Sequence, residues 1–305
     1  MQVTLPGFEA KDVEVTATAN EVIVHAAAKE EKKTQKGNVL WTKFGSNDVY
    51  RRFEVPNPIN VDRVTATPDL LEHAAKDQRI NGAAITGSAA ASREDRWSDI
   101  DLAFGVRDAG ELLNVLSDWT VRMYGQHLAL HHLDVNSGAW IYRVFLLPST
   151  LQVDLAFVPA AEFRALAPTF RLMFGEANEP QYVKPPPTGT IIGFGWLYAL
   201  HARSCIARRN YWQAEYMISG MRDNALALAC IRHSLPAVHG RGVDLLPTEV
   251  LAQFEGSLVR ELDAAELSRC FRAVMHGLLR EIRCVDEELA GRLQEALTLL
   301  IGTPL

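Results

Sequence analysis

The sequence lacks several features that would place it in a familiar class of protein. Its longest apolar run, Ile191 to Leu200, is about half as long as a membrane span and includes two glycines, so no membrane helix is expected. The four cysteines contain no C-x-x-C pair, which argues against a zinc site. We interpret Cys205, Cys230, Cys270 and Cys284 as small buried residues in a reducing compartment.

A signal-peptide pattern and an excess of basic charge are also missing. The chain opens with alternating polar and apolar residues, not with a basic stretch followed by an apolar one, so we expect a cytoplasmic location. The 31 lysines and arginines stand against 37 aspartates and glutamates, which gives a net charge of −6. Because nucleic-acid binding depends on clustered basic residues, nucleic acid is not expected to be the main ligand.

The residues that are present divide into three predicted segments. Six of the eight lysines precede residue 45 and arginine replaces lysine afterwards, which indicates that segments of different origin were joined. Residues 1–66 are predicted to form a partial β-sandwich segment, and residues 67–183 an α/β core with a mixed sheet and flanking helices. Residues 190–305 are predicted to form an α-helical bundle, after the stiff linker Lys184 to Gly189.

The first segment has the alternation of β-strands. Val13 to Thr18 and Glu21 to His25 alternate polar and apolar residues on either side of Ala19-Asn20, which predicts a hairpin. A polar loop is expected at Lys29 to Lys36, and a third strand at Tyr50 to Val55.

These residues resemble the small heat-shock protein (α-crystallin) family. Leu5 to Phe8, followed by Lys11 to Val15, is similar to the start of its β-domain, and Phe53 to Pro56 with Val64 to Ala66 is similar to its later strands. The family's next strand is absent from the sequence. We therefore interpret residues 1–66 as a partial β appendage left by gene fusion, with a chaperone-like binding module as the alternative.

Apolar spacing predicts the elements of the other two segments. The predicted helices cover residues 69–76, 108–124, 190–208, 211–233, 248–261, 264–284 and 287–301. The predicted strands cover residues 80–86, 98–106, 127–135, 140–147 and 151–158.

Three aspartates and a Gly-Ser pair carry the chemistry of the middle segment. Asp99 and Asp101 are two residues apart on a predicted strand, so both carboxylates project from one face. Asp154 stands among apolar residues of a later strand, where an unpartnered carboxylate is costly and a metal ion would offset that cost. Gly87-Ser88 ends a strand and starts a helix, and its hydroxyl and N–H groups suit phosphate oxygens.

The stretch from Gly87 to Leu102, with Gly87-Ser88 and Ser98-Asp99-Ile100-Asp101, resembles the DNA-polymerase-β-like nucleotidyltransferase superfamily. The resemblance implies two Mg²⁺ ions on Asp99, Asp101 and Asp154, and a nucleoside triphosphate, with ATP expected, held by Gly87 and Ser88. The sequence departs from the family at Ala91 and Ser92, where arginine and glycine are usual. We therefore expect Arg93, Arg96 or Lys184 to help to bind the triphosphate.

In the helical segment, the stretch Arg208 to Tyr216 followed by Ser219 to Asp223 looks like the C-terminal helical domains of aminoglycoside and lincosamide nucleotidyltransferases. That resemblance implies a small antibiotic-like acceptor and a carboxylate base, for which Glu215 is the preferred residue; the alternative is a helix-face ion pair of Glu215 with Arg222 or Arg208. An acidic wall of Glu215, Asp223 and Asp244 would suit a polyamine sugar. The aromatic residues Trp196, Tyr198, Trp212 and Tyr216 could stack on a ligand, but at helical spacing they are expected to be core.

The predicted reaction is therefore the transfer of a nucleoside monophosphate to a small-molecule hydroxyl, by a protein that can form a homodimer. One alternative keeps the chemistry and changes the acceptor to a partner protein, as in toxin–antitoxin-type nucleotidyltransferases. The other is the chaperone-like module of residues 1–66.

Overall fold

The computed structural model describes residues 4–5, 8–9, 12–18, 20–27, 48–54 and 61–302, with only the backbone of residues 62–64. The polar loop predicted at Lys29 to Lys36 lies outside these residues. The chain divides into two compact units, Met1–Val183 and Lys184–Leu305. The finer division of the first unit at residue 66 stays a prediction.

The N-terminal residues form a three-stranded antiparallel sheet. Strands β1 (Val13–Ala17), β2 (Glu21–Ala27) and β3 (Asp48–Glu54) lie in that order, so the predicted hairpin and third strand are confirmed. β1 and β2 are rich in β-branched residues, which favour an extended backbone. Val24 on the central strand β2 is buried, whereas its partner Val15 on the edge strand β1 is 59% exposed.

A six-stranded mixed sheet forms the centre of the first unit. In spatial order it contains β6 (His131–Ser137), β7 (Trp140–Leu146), β8 (Gln152–Pro159), β5 (Ile100–Val106), β4 (Ile80–Thr86) and β9 (Phe170–Gly175). Every neighbouring pair is antiparallel except β5 and β8, which run parallel in the middle of the sheet. The mixed sheet with helices that the sequence predicts is present.

Two of these strands differ from the prediction. β6 starts at His131, four residues later than expected, because Leu128 adopts a φ of +56° and interrupts the extended backbone. β9 was not predicted at all. It is a short edge strand with mostly exposed side chains, and it is held by pairing with β4 from Gly82↔Gly175 to Thr86↔Phe170.

The helices of the first unit are α1 (Val61–Lys76), α2 (Gly87–Ala90) and α3 (Leu112–Gln126). The prediction that α1 begins at Asp69 is wrong, because the helix continues through Pro68. An interior proline costs about 3 kcal/mol. Ala66, Leu70 and Ala74 of α1 are nevertheless buried against the sheet, and this packing offsets the cost.

The two faces of the central sheet differ in chemistry. One face, which we call the helix face, carries large apolar side chains that pack with α1 and α3 in one core; on β5 and β8 these include Leu102, Phe104, Leu155 and Phe157. Alternate residues of the same strands point to the opposite face, where Ala84, Ala103 and Ala156 are buried with Phe163. We call this opposite side the alanine face.

The second unit is helical, as predicted. It contains α4 (Thr188–Ala207), α5 (Tyr211–Arg232), α6 (Thr248–Glu255), α7 (Ala264–Val285) and α8 (Glu287–Gly302). α6 is shorter than expected, because the chain turns after Glu255 and the backbone N–H of Ser257 donates to the carbonyl of Phe254. Among the described residues, none of the helices has the length and apolarity that crossing a membrane requires.

The cysteines of the second unit follow the prediction in part. Cys205, Cys230 and Cys270 are buried and unbridged, as expected for small core residues. The expectation is wrong for Cys284, which is exposed near the end of α7. The helical periodicity of α7 places residue 284 on its outer side, two positions after the buried Ile282.

Candidate functional site

Asp99, Asp101 and Asp154 converge on the alanine face. Each offers a carboxylate oxygen, and these oxygens lie within 4.8 Å of one another. Asp101 and Asp154 are direct partners across the parallel pair β5 and β8. Asp99 precedes β5 and is two residues before Asp101, so an extended chain sends both side chains to one face. The structure therefore brings together the three carboxylates that the sequence singles out.

Gln152 belongs to the same cluster, although local sequence pattern does not single it out. Its Nε2 donates to Oδ1 of Asp154 at 3.0 Å and to Oδ2 of Asp99 at 3.4 Å. Gln152 and Asp154 are two residues apart on β8, so their side chains share a face of the sheet. A Q-x-D spacing on a strand is the only signal in the sequence, and it becomes informative once β8 is known to lie beside β5.

Asp154 lies in an environment that disfavours its charge. Burial, together with a smaller effect of the negative charge of Asp99, raises the pKa of Asp154 to about 6, while the hydrogen bond from Gln152 acts in the opposite direction. Val144 of β7 is its register partner on the other side and offers no compensating charge. The burial of a carboxylate beside a second carboxylate is the kind of arrangement that a cation stabilises.

Gly87 makes the close approach of the β4–α2 turn to Asp101 possible. Its φ is +63°, and a Cβ added there would lie 2.0 Å from Oδ2 of Asp101. Only a residue without a side chain fits this position, for both conformational and steric reasons. The Gly-Ser pair is thus packed directly against the carboxylate cluster, as the sequence spacing predicts.

Ser88 places a polar atom in this region. Its Oγ is buried and has no hydrogen-bond partner among the described residues. A buried hydroxyl without a partner is uncommon, because it forfeits a hydrogen bond that water would supply. The helix that it was expected to start is only the single turn α2, so the hydroxyl, not a helix terminus, is the group available for a ligand.

The loop between α2 and β5 carries basic and aromatic groups. Arg93 and Arg96 are exposed, and the guanidinium of Arg96 lies 4.2 Å from the ring centroid of Trp97, which is 78% exposed. Ser98 is committed to the loop itself, since its Oγ accepts from the backbone N–H of Asp95 at 2.9 Å. The loop can therefore offer cationic groups to a ligand, while Ser98 shapes the turn before Asp99.

Ser92 stands where glycine is usual in the family that the motif resembles. Its φ is +53°, in the left-handed region that favours glycine. The serine side chain at this position therefore bears the strain of a left-handed backbone.

The donor set fits a hard divalent cation. Three carboxylates from neighbouring strands provide oxygen ligands on one side, which is the arrangement that Mg²⁺ uses when the substrate's phosphates complete its coordination. The raised pKa of Asp154 shows that its charge lacks compensation, and the buried hydroxyl of Ser88 lacks a hydrogen-bond partner among the described residues. A bound cation would supply the missing charge, and a ligand oxygen would supply the missing hydrogen bond.

Two of the predicted site residues belong to the second unit. Lys184 is exposed at the start of that unit. Glu215, on α5, accepts a hydrogen bond from Ser219 Oγ at 2.6 Å, and Arg222 Nη2 donates to the same oxygen of Ser219 at 3.0 Å. Among the described residues, no ion pair joins Glu215 to Arg222 or Arg208. Ser219 links Glu215 to Arg222 through its hydroxyl. The role of Glu215 as a base stays a prediction.

The expectation that the aromatic residues of α4 and α5 are core is wrong for most of them. Trp212 and Tyr216, one turn apart on α5, are 79% and 64% exposed, and Trp196 on α4 is 36% exposed. Tyr198 packs against the core, where its ring contacts the position of Gly220. Trp212 and Tyr216 flank Glu215 in sequence, so α5 presents two exposed rings beside this carboxylate.

Comparison with known proteins gives separate results for different parts of the chain. The Hsp20/alpha crystallin family matches residues 1–69, so the resemblance seen in the N-terminal residues is supported. No curated protein matches the chain. A solved structure of an aminoglycoside 6-adenyltransferase from Bacillus subtilis is similar, with 12% identity, a TM-score of 0.37 and coverage of 77% of this chain and 96% of that one. An identity of 12% and a TM-score of 0.37 do not establish a shared fold or activity.

Proposed function

We propose that the chain is a nucleotidyltransferase, which moves a nucleoside monophosphate from a nucleoside triphosphate to a hydroxyl group of a small molecule. The observation that carries the proposal is the convergence of Asp99, Asp101 and Asp154 directly beside Gly87. Their sequence spacing is that of the nucleotidyltransferase motif. Phosphoryl transfer requires positioning and charge neutralisation more than covalent participation by the protein, and this cluster offers both.

The reaction assigns a task to each group. The acceptor oxygen attacks the α-phosphorus, the bond to the β-phosphate oxygen breaks, and pyrophosphate leaves. Asp99, Asp101 and Asp154 would hold two Mg²⁺ ions, which neutralise the charge of the triphosphate and favour ionisation of the attacking hydroxyl. The Ser88 hydroxyl donates to a phosphate oxygen, and the exposed Arg93 provides positive charge in the same loop. Lys184 is a second candidate for the triphosphate.

The acceptor is assigned by its expected chemistry. We propose a polycationic or sugar-like antibiotic of the aminoglycoside or lincosamide type, with Glu215 as the base that takes the proton of the hydroxyl. Two features support this assignment: the exposed rings of Trp212 and Tyr216 on the helix that carries Glu215, and the contact of Glu215 with Ser219, which holds the carboxylate in one orientation. Flat rings stack on the apolar faces of sugars, and carboxylates pair with their amines.

A transfer assay tests this function. The purified protein is incubated with α-phosphate-labelled ATP, MgCl₂ and a panel of aminoglycosides and lincosamides, and label on the acceptor is measured. Asp99→Asn and Asp101→Asn should each abolish transfer. Asp118→Asn, an exposed aspartate on α3, is the matched control and should retain activity. Absence of transfer to every acceptor, together with Mn²⁺ binding that D101N leaves unchanged, would refute the proposal.

The N-terminal residues support a second, separate function. The family match over residues 1–69 and the three-stranded sheet with exposed Val15 on its edge strand favour contact with another polypeptide. We therefore propose that this segment acts as a binding module. Deletion of residues 1–60, which leaves α1 whole, should abolish suppression of client aggregation and leave nucleotidyl transfer in place; if the full chain suppresses no aggregation, the module has no chaperone function.

A further inference from the structure

The candidate cation site has four polar side chains in a two-by-two arrangement. In the parallel pair, Ile100 is the partner of Val153, and Asp101 is the partner of Asp154. One residue earlier, Asp99 directly precedes β5 and Gln152 begins β8, and a hydrogen bond of 3.4 Å joins their side chains. Each strand therefore contributes two neighbouring side chains to the alanine face, and Gln152 is the only one of the four that bears no carboxylate.

The carboxamide of Gln152 is placed between two of the carboxylates. Its Nε2 is 3.0 Å from Asp154 Oδ1 and 3.4 Å from Asp99 Oδ2, so the amide N–H groups point at both. Two carboxylates repel each other at such short range, and only a donor or a cation between them opposes that repulsion. Gln152 supplies the donor, and it fixes one oxygen of each carboxylate.

Asp101 is held in a different way. Its Oδ2 lies against the backbone of Gly87, at the place where a side chain on that residue would be. The turn thus restricts the position of Asp101 on one side, and hydrogen bonds from Gln152 restrict Asp99 and Asp154.

We propose that Gln152 is a positioning residue of the cation centre, which keeps Asp99 and Asp154 at the separation and rotation that Mg²⁺ requires. This inference rests on the proposed function, because it assigns a role within the same cation site. Groups that hydrogen-bond to metal ligands set the orientation of those ligands, and their loss commonly weakens metal affinity about 10-fold or more.

A positioning role has a consequence for cation selectivity. Mg²⁺ demands a nearly ideal octahedral geometry with short bonds, whereas Ca²⁺ accepts longer and more variable ones. Loss of a group that fixes the carboxylates should therefore weaken Mg²⁺ binding more than Ca²⁺ binding. Loss of a group that only adjusts the local charge should weaken both by the same factor.

The experiment compares cation binding by the full chain with that of three variants. Gln152→Met has nearly the same shape as glutamine and lacks the amide. Gln78→Met, at an exposed glutamine before β4, is the matched control. Asp101→Asn tests the cation site itself. Mn²⁺ binding is measured by electron paramagnetic resonance, without nucleotide, and Mg²⁺ and Ca²⁺ affinities follow from competition; thermal unfolding reports the stability of each variant.

We expect Q152M to lower Mg²⁺ affinity about 10-fold and Ca²⁺ affinity about 3-fold or less, with a melting temperature close to that of Q78M. If D101N weakens Mn²⁺ binding and Q152M does not, the positioning role is overturned and the proposed function stands. Equal loss of both cations in Q152M overturns it as well. If D101N binds Mn²⁺ as the wild type does, the proposed function fails first.

Discussion

The two faces of strands β5 and β8 differ in chemistry, although they share one backbone. On the helix face, Leu102, Phe104, Leu155 and Phe157 are almost completely buried against α1 and α3. On the alanine face, the next residues along the same strands are Asp101, Ala103, Asp154 and Ala156. One backbone therefore supports a close-packed core and a polar cluster at the same time.

This difference separates two kinds of stabilisation. The helix face gains from apolar burial and aromatic packing, with the rings of Phe104 and Phe157 centred 5.2 Å apart. The alanine face buries a carboxylate beside a second one, and the pKa of Asp154 is raised chiefly by this burial and to a smaller extent by the charge of Asp99. Such an arrangement costs stability and persists where function requires it. The free energy gained by apolar burial on the helix face offsets the free-energy cost of the carboxylates on the alanine face.

Removal of a core ring should have the largest effect. Phe157→Ala removes a fully buried side chain that also contacts Trp119, with ring centroids 5.6 Å apart. We expect a loss of about 3–5 kcal/mol in the free energy of unfolding, because a cavity remains. Chemical denaturation followed by circular dichroism measures it. The control is Val135→Ala on β6, where the side chain is 48% exposed, and it should change the free energy of unfolding by less than about 0.5 kcal/mol. A loss as large as that of Phe157→Ala would contradict the view that burial on the helix face provides the stability.

An alanine at Gly87 should disturb the site and the backbone together. Gly87→Ala places a Cβ at a φ of +63° and 2.0 Å from Oδ2 of Asp101, so the carboxylate has to move. We expect a loss of about 2 kcal/mol or more in stability, and weaker Mn²⁺ binding. Gly138→Ala is the control, since Gly138 has a φ of +59° and open space around it. Equal effects of the two variants on Mn²⁺ binding would show that the contact with Asp101 is unimportant.

Neutralisation of Asp154 should stabilise the metal-free protein. Burial raises its pKa from 3.8 to about 6, so the folded state holds the proton more tightly than the unfolded state does. Stability therefore falls as the pH rises from about 4 to about 6, and stays lower above that range. Asp154→Asn removes this dependence, and we expect it to gain about 1 kcal/mol near pH 8, after allowance for solvent screening, and nothing near pH 3.

Denaturation in the presence of a chelator, at several pH values, measures the effect. Asp134→Asn on β6 is the matched control with the opposite sign. Its hydrogen bonds with Arg143 lower the pKa of Asp134, so the charged form stabilises the fold and its loss should destabilise it at neutral pH. A loss of stability in D154N at pH 8 would contradict the view that the alanine face holds an unfavourable charge.

Glycine at position 92 should give the smallest effect. Ser92 has a φ of +53°, and Ser92→Gly relieves the strain of a side chain in the left-handed region. We expect a gain of about 0.5 kcal/mol, since the higher entropy of unfolded glycine offsets part of the relief. Ser117→Gly, in the middle of α3 and exposed, should instead lose about 0.5 kcal/mol. The same sign in both variants would mean that the strain at Ser92 is not significant.

Several features of the molecule could be predicted from local pattern alone. The alternation of Ile100 to Val106 identifies β5 and places Asp99 and Asp101 on one face, because side chains of a strand alternate. The five helices of the second unit follow from apolar spacing. The helix predicted at residues 69–76 starts too late, because packing of Leu70 and Ala74 against the sheet outweighs the low helix propensity of Pro68.

Other features depended on which strands are neighbours. β9 has little apolar periodicity of its own and exists through pairing with β4. The exposure of Trp212 and Tyr216 also could not be predicted. When a helix has apolar residues on two sides, its sequence does not say which side packs against the neighbouring helices.

The sequence by itself determined which residues bear the chemistry: a Gly-Ser turn, two aspartates on one side of a strand, and a third aspartate in an apolar strand. Local spacing is enough for that. Only the tertiary structure decided that β8 lies parallel to β5 with Asp101 opposite Asp154, and that Gln152 therefore sits between two carboxylates. Register between distant strands is fixed by the packing of the whole sheet, and no short stretch of sequence contains it.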